Sequence, residues 1–315
     1  MKGRGTAIVL GSLGLAAVSV PSLAGDYYIG VGLSVLLYVA LTQSWIVLSG
    51  LTGYVSLGHV VFYGLGSYVA ALLWGDVPLV AIVPLAGVAA FSLAVIIGLP
   101  VLRVRGPYFV ILTFGVAELA KNLVTMVEGW LGKSSRILFG APGLDVLFYL
   151  MLVLAAAATL LTILVRRSRF GLGLLAIREN EEAAETVGVP TVWFKLIAFG
   201  LSALIPGMVG SLMVLRTGYF NPLELFDPIV SFSIVTMAVV GGSDDVKGPL
   251  LGAAGFVLLS ELLWASAPQI YMILLGVLLI VFVLFIPEGL SGRLFPPRRN
   301  MAPTGAPEAA PQAGP

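Results

Sequence analysis

Charged side chains with helical spacing are concentrated in residues 166–190, which read RRSRFGLGLLAIRENEEAAETVGVP. One arginine and three glutamates fall 0, 3, 4 and 7 residues along this stretch and would share one face of a helix: Arg178, Glu181, Glu182 and Glu185. On that face Arg178 can form ion pairs with Glu181 and Glu182. Almost all residues on either side of the stretch are apolar. Because so many charges cannot lie in the apolar environment of those flanking segments, the stretch must lie in water. Its chemistry is ion pairing, and it predicts a docking element for a cytoplasmic partner.

Two helical arrangements are open for this stretch. Residues 172–187 can form one amphipathic helix, or Asn180 can cap a second short helix with two glutamates favourably placed in its first turn. The Gly-Val-Pro sequence at 188–190 predicts the stop. A helix lying on lipid favours Lys and Arg on its polar face, whereas residues 179–185 are acidic. The acidic face therefore favours a protein partner over a membrane surface.

Charges inside the apolar segments are the other residues that could do chemistry, because such charges are costly and usually functional. Glu118 and Lys121 lie three residues apart on one helical face and can neutralise each other. A structural ion pair and a role in transport are both open for them. Glu261 lies in a later segment, and His59 is assigned no role. Such scarcity of acids argues weakly against an ion-coupled carrier.

Several kinds of site are excluded by the residue types. The chain has no cysteine and one histidine, which excludes disulfides, thiolate metal sites and multi-histidine metal sites. No stretch has the order of glycines, lysine and hydroxyl residue that binds ATP in a Walker motif. No nucleophile–base arrangement and no nucleic-acid footprint is present. We therefore expect a chain that is not an enzyme and holds neither cofactor nor metal.

The elements that position these residues are apolar segments. Of 315 residues 59% are hydrophobic and 10% are charged, whereas a soluble domain has about 25% charged residues. A membrane-spanning helix needs about 20 apolar residues. The eighth segment is too short to span comfortably and could be a half-helix or part of a re-entrant turn. The ten predicted segments are 7–24, 29–49, 54–74, 79–101, 107–127, 147–166, 195–215, 229–240, 249–265 and 270–286.

Basic residues predict the orientation, since they concentrate in cytoplasmic loops. This rule predicts that five regions lie on the cytoplasmic side: the two termini, the loop with Arg103 and Arg105, the 166–190 stretch and the loop with Lys247. The predicted fold is therefore an all-α polytopic membrane protein of about ten segments. The apolar N-terminus is expected to remain as the first helix rather than be cleaved. Residues 296–315, rich in Pro and Ala, are predicted to form a disordered tail.

Small residues recur within the segments. In lipid they permit close helix packing, and they can also line a path that opens and closes. Both interpretations are kept for one set of positions: Ser56, Gly58, Gly64, Gly66, Gly207, Gly210, Gly241 and Gly242.

Four motifs in order resemble the permeases of branched-chain amino-acid ABC importers, the LivM type. They read GLTGYVSLGHVVFYGLGSYVAALL, LRVRGPYFVILTFGVAEL, RSRFGLGLLAIRENEEAAETVGVPTVWFKLIAFGLSALIPGMVGSLM and, less closely, VVGGSDDVKGPLLGAA. The third motif is specific, and the glycine-rich ones are shared with related sugar and urea permeases. The resemblance implies a permease domain over residues 1–295, with its cytoplasmic coupling loop at 166–194.

The resemblance also implies partners. A second related permease (LivH-like), two cytoplasmic ATPases that bind ATP, and an extracytoplasmic substrate-binding protein would form the importer with this chain in the inner membrane, in contact with lipid. Residues that match the family's loop motif would contact an ATPase, and the neighbouring acids would join them. These residues are Arg169, Gly171, Ala176, Arg178, Glu179, Asn180, Glu181, Glu182, Ala183, Ala184 and Gly188.

Three functions remain open at this point. The first is import of branched-chain or other aliphatic amino acids by alternating access, powered by the ATPases. The second is import of urea or amides by the same mechanism, and the third is a stand-alone secondary transporter.

Overall fold

The computed structural model describes residues 25–132, 135–242, 246–266 and 276–277. Within these ranges the chain consists of helices joined by short loops, with two strands of two residues each. The helices are α1 (Asp26–Thr52), α2 (His59–Leu73), α3 (Leu79–Val101), α4 (Pro107–Trp130), α5 (Leu144–Arg167), α6 (Arg169–Glu179), α7 (Glu181–Thr186), α8 (Thr191–Thr217), α9 (Pro222–Leu225), α10 (Ile229–Gly241) and α11 (Lys247–Ser266), and the strands are β1 (Arg136–Ile137) and β2 (Tyr219–Phe220).

Six stretches in the described part of the chain are long and apolar enough to cross a membrane: α1, α3, α4, α5, α8 and the combined stretch Pro222–Gly241. The prediction of an all-α polytopic membrane protein is confirmed to this extent. The first predicted segment, both termini and the tail at 296–315 lie outside the described residues. The tenth segment also lies outside them, except for residues 276–277.

Helix α2 is shorter than predicted. The predicted segment covered residues 54–74, but the helix has 15 residues, about 22 Å of rise against about 30 Å of hydrocarbon. The linker 53–58 before it is not helical, and its backbone is bonded by neighbouring side chains. Trp45 donates to the Ser56 carbonyl at 2.9 Å, and Leu57 donates to the Thr113 hydroxyl at 3.1 Å. Such bonds replace those that a continued helix would make.

Helices α10 and α11 pack closely against each other, and the start of α11 lies inside the bundle. The Gln43 side chain donates to the Val246 carbonyl at 2.7 Å, and Gln43 lies about 13 Å before the end of α1. The predicted segment 229–240 is the 13-residue helix α10, which belongs to the stretch Pro222–Gly241 that is long enough to cross a membrane. The position of Val246 within the bundle differs from the cytoplasmic loop predicted at Lys247. Close packing explains the difference, because a Cβ on Gly241 or Gly252 would collide with the backbone of the other helix.

The core is built around α1 and α8, in which 67% and 72% of the most apolar stretch is buried. Helix α8 packs against α2 and α3 through small residues. A Cβ on Gly66 would collide with the Gly207 backbone, and one on Gly210 with the Tyr63 carbonyl. The Ser67 hydroxyl donates to the Gly210 carbonyl at 2.9 Å. Close approach of this kind stabilises helix pairs where lipid removes the hydrophobic driving force.

The two ends of the bundle carry different polar contacts. One end, called here the inner end, holds Arg178 and Lys195, and its basic residues predict that it faces the cytoplasm. At the opposite end, the buried Glu128 accepts two bonds from Arg136, at 2.7 and 3.0 Å, and one from Tyr68 at 2.8 Å. Strand β1 pairs with β2 there, with Arg136 opposite Phe220. These contacts fix the loop after α4 to the loop after α8.

Candidate coupling site

The polar stretch forms two helices, which resolves the alternatives left open above. Ser168 caps α6 and accepts from the Gly171 amide at 3.1 Å. Asn180 ends α6 with extended backbone and caps α7, accepting from the Ala183 amide at 3.0 Å. Gly188 follows α7 with φ +88°, a left-handed conformation that glycine adopts readily.

One face of the helix pair is anchored on the bundle. Leu174, Ile177 and Ala184 are buried in a cluster with residues of α1, α3 and α8. A Cβ on Gly171 would collide with the Val165 carbonyl, so this glycine permits the tight turn from α5. Arg178 donates to the Gly50 carbonyl at the end of α1, at 2.9 Å.

Glu181 is the centre of a polar cluster at the start of α7. Its carboxylate accepts from Lys195 Nζ at 2.6 Å and from the Tyr54 hydroxyl at 2.6 Å. Arg105 Nη2 lies 3.4 Å away. Lys195 is 2% exposed, and it also contacts the Tyr54 ring and the Leu102 carbonyl. One carboxylate thus joins α7 to α8, to the linker before α2 and to the turn between α3 and α4.

The structure adds partners that the spacing did not predict. Spacing along one helix allowed ion pairs from Arg178 to Glu181 and Glu182, and Lys195 and Arg105 form ion pairs with these acids from outside the stretch. The helix break at Asn180 means that the spacing rule for one continuous helix does not describe this stretch. Lys195 could have been found as a charge at the start of an apolar run, whereas nothing in the sequence indicated Tyr54.

The cluster shifts the pKa of both its acidic groups. Burial alone would raise the pKa of Glu181, but the hydrogen bonds from Lys195 and Tyr54 and the charges of Lys195 and Arg105 outweigh it, and the pKa lies below its ordinary value. Burial is the main cause that raises the pKa of Tyr54, and the hydrogen bond to the Glu181 carboxylate raises it further. Glu181 is therefore ionised and Tyr54 is neutral at neutral pH.

A cleft of about 700 Å³ opens beside this cluster at the inner end. The linker before α2, the turn between α3 and α4, and the junction of α6 and α7 all contribute to its wall. Residues that line it include Gly53, Tyr54, Arg105, Arg178 and Glu181. Three segments that are distant in sequence therefore meet at one surface that a partner can reach.

Comparison with known proteins identifies the family. Residues 27–283 match the model of the branched-chain amino acid transport system permease component. The chain belongs to this family. The high-affinity branched-chain amino acid permease protein LivM of Salmonella typhimurium is 28% identical over 90% of this chain and 74% of its own length. The LivH permease protein of Escherichia coli is 22% identical over 81% of this chain and 91% of its own length. A probable LivH permease protein of Methanocaldococcus jannaschii is 28% identical over 90% of this chain and 88% of its own length. No solved structure matches.

Membership of this family makes the chain a transport subunit rather than an enzyme. The six apolar stretches agree with a multi-pass protein of the inner membrane. Within the described residues no group of three His, Cys, Asp or Glu side chains is placed to hold a metal ion.

The permease exposes much of the α6–α7 pair away from the bundle. Glu182 is 85% exposed in its side chain, and Leu172 and Val187 are 63% and 78% exposed. The motif residues divide between the two faces. Gly171 and Ala184 are buried, Ala176 and Glu181 are half-buried, and the exposed ones are Arg169, Arg178, Glu179, Asn180, Glu182, Ala183 and Gly188.

The predicted small-residue positions lie at helix contacts in the permease. Beyond the α2–α8 contact already described, a Cβ on Gly64 would meet the Phe226 ring, and one on Gly58 would touch Thr113. Gly242 has φ +94° at the end of α10. Ser56 is buried in the linker before α2.

The intramembrane charges lie apart from the coupling cluster. Lys121 and Glu118 form an ion pair at 2.7 Å on α4. Glu261 of α11 accepts from the Tyr27 hydroxyl at 2.7 Å, near the start of α1 and hence at the end opposite the cluster. The structure therefore separates two groups of polar residues that the sequence singled out.

Proposed function

We propose that this chain is a permease subunit of an ABC importer for branched-chain or other aliphatic amino acids, and that α6 and α7 receive the motion of an ATPase subunit. The observation that carries the proposal is the Glu181 cluster. Helices α6 and α7 expose an acidic face at the surface, and the Glu181 carboxylate of α7 accepts hydrogen bonds from Lys195 and Tyr54. These bonds connect the surface helices to α8 and to the linker before α2.

The cluster offers a mechanical route for alternating access. A displacement of α7 moves the Glu181 carboxylate, and Lys195 carries that displacement into α8 at the core. Tyr54 carries it into the linker before α2, whose backbone is held by Trp45 and Thr113. Charge-assisted hydrogen bonds suit this role, because they are short, directional and about twice as strong as neutral ones.

The partners follow from the same proposal. Relatives named LivM and LivH both match the chain, which implies paired permeases in one importer. The energy enters with ATP bound to two cytoplasmic ATPase subunits, and an extracytoplasmic binding protein delivers the amino acid. The relatives' names support aliphatic amino acids as substrates over urea or amides.

The test is co-purification of the ATPase subunits with exposed-face variants of the permease. Glu179→Arg with Glu182→Arg reverses two exposed charges on the coupling helices. The matched control is Asp76→Arg, an exposed acid in the loop after α2 at the opposite end. We expect the double variant to lose the ATPase subunits and the ATP-dependent uptake of leucine, and the control to keep both.

Two further results sharpen this test. Glu181→Gln should keep the ATPase subunits bound but lose the stimulation of ATP hydrolysis by the loaded binding protein. Retention of ATPase by the double variant, together with uptake that needs no ATP, would contradict the proposal.

A further inference from the structure

Helix α4 differs from the other spans in what it exposes. In its most apolar stretch 11% of residues are buried, against 28% and 44% in α3 and α5. The exposed residues of those two helices are mainly apolar, with Val88 and Ile96 on α3 and Val153 and Leu160 on α5 as examples. Helix α4 exposes both an apolar side and a polar stripe.

The polar stripe follows one side of α4 at spacings of three and four residues, like the seam of a coiled coil. Its members are Gly115, Glu118, Asn122, Thr125 and Gly129. Glu118, which is near the middle of the 24-residue helix, is 35% exposed in its side chain, and its partner Lys121 is 21% exposed. Charged groups at this depth are costly in lipid, so this side of α4 faces water or protein.

Most donors on the stripe are satisfied within α4 itself. Lys121 donates to Glu118, the Asn122 amide donates to the Glu118 carbonyl, and the Thr125 hydroxyl donates to the Lys121 carbonyl, at 2.8 Å in each case. The carboxylate of Glu118 and the amide oxygen of Asn122 keep acceptor capacity toward the outside. The stripe is thus a stable polar surface that needs no partner from the rest of the described chain.

We propose that this stripe lines a water-filled substrate path between the permease and its sister subunit, and that Glu118 and Lys121 recognise a zwitterionic α-amino acid. This inference rests on the proposed function. An α-amino acid carries an ammonium and a carboxylate a few ångströms apart, which complement Glu118 and Lys121 respectively. Exchange of the internal ion pair for two pairs with the substrate leaves the net charge of the path unchanged.

Thiol labelling tests the path directly, since the chain has no cysteine of its own. Asn122→Cys and Thr125→Cys place thiols on the stripe, and Leu119→Cys and Leu123→Cys place matched thiols on the exposed apolar side of the same helix. The assembled importer in proteoliposomes is treated with a charged, membrane-impermeant thiol reagent. A thiol reacts as the thiolate, which forms only in water. The cysteines on the stripe should therefore be labelled about tenfold faster or more than those on the apolar side, and added leucine should slow the labelling of the stripe cysteines.

Equal labelling of the two sides, no labelling of the stripe, or labelling that leucine does not slow would overturn the proposal. The second of these results would mean that the stripe is a dry seam between helices. Labelling needs no transport, so it is independent of the ATPase co-purification that tests the proposed function.

Charge variants test the recognition. Glu118→Gln and Lys121→Gln should each lower leucine uptake by about tenfold or more, with ATPase subunits still bound. The control Ser92→Ala removes an exposed polar group of α3 that is bonded to its own backbone, and it should transport normally. Normal uptake by both charge variants would show that the pair has no part in recognition.

Discussion

At the scale of single residues, the interactions of the proposed coupling helices with the bundle converge on the carboxylate of Glu181. Glu181 is 11% exposed in its side chain and has three donor groups within 3.4 Å, whereas the adjacent Glu182 is 85% exposed and lies 3.7 Å from Arg105. Adjacent acids on one short helix therefore have opposite roles, one toward the bundle and one toward the solvent.

Removal of the Glu181 charge should destabilise the permease. Glu181→Gln leaves the buried Lys195 without its carboxylate, and the free energy of unfolding should fall by about 1–3 kcal/mol. Glu182→Gln changes an exposed pair and should cost less than about 1 kcal/mol. Denaturant unfolding in detergent measures both, and equal effects of the two substitutions would show that the buried cluster adds no stability.

The same group predicts a pH dependence. The pKa of Glu181 is lower in the folded protein than its ordinary value of 4.5, so its stabilisation is fully present above that value. The stabilisation is lost as the pH falls through the folded pKa, because protonation removes the charge that Lys195 and Arg105 contact. The stability difference between wild type and Glu181→Gln should be constant near neutral pH and shrink in acid. A difference that grows in acid would contradict the assignment.

At the scale of elements, glycines decide how closely the helices pack. The contact between α2 and α8 brings the backbones of Gly66 and Gly207 so close that a side chain does not fit. This packing, with the bonded linker before it, lets a helix of 15 residues lie within the bundle although it is too short to span.

Enlargement of one of these glycines should separate the two helices. Gly66→Leu should lower the free energy of unfolding by about 1–3 kcal/mol or more through overpacking. Gly255→Leu on α11 is the matched control, because in the described part of the chain no atom beyond its own helix backbone lies within 4 Å of the Cβ position. Thermal unfolding in detergent distinguishes them, and a Gly66→Leu protein as stable as the control would mean that the contact can relax.

At the scale of the whole molecule, the described contacts sort the loops into two ends. The loops near residues 50–54 and 102–105 meet the coupling helices, while β1, β2 and the end of α4 meet at the other end. Basic residues predict that the end with the coupling helices faces the cytoplasm.

Sided labelling should confirm this orientation. Val187 is 78% exposed and Phe139 is 82% exposed, and the two residues lie at opposite ends of the bundle. The variants Val187→Cys and Phe139→Cys therefore place one accessible thiol at each end. An impermeant thiol reagent outside intact spheroplasts should label only Phe139→Cys, and inverted vesicles should reverse the result. Wild type, which lacks cysteine, provides the blank. Labelling of both variants from one side would contradict the topology.

The sequence by itself determined the class of protein and most spans within a few residues. The predicted segments 107–127 and 195–215 are the helices Pro107–Trp130 and Thr191–Thr217. A long apolar run is a local property, and in lipid it forms a helix wherever it occurs. The coupling stretch was also visible, since a dense group of charges stands out among apolar residues.

Only the tertiary structure decided which groups meet. Glu181 and Tyr54 are 127 residues apart, and Gln43 and Val246 are 203 apart, so no spacing rule relates them. The short α2 and the position of Val246 beside Gln43 depend on packing between distant segments. The candidate coupling site is a product of that packing, because its central carboxylate acquires its partners only when separate segments fold together at the inner end.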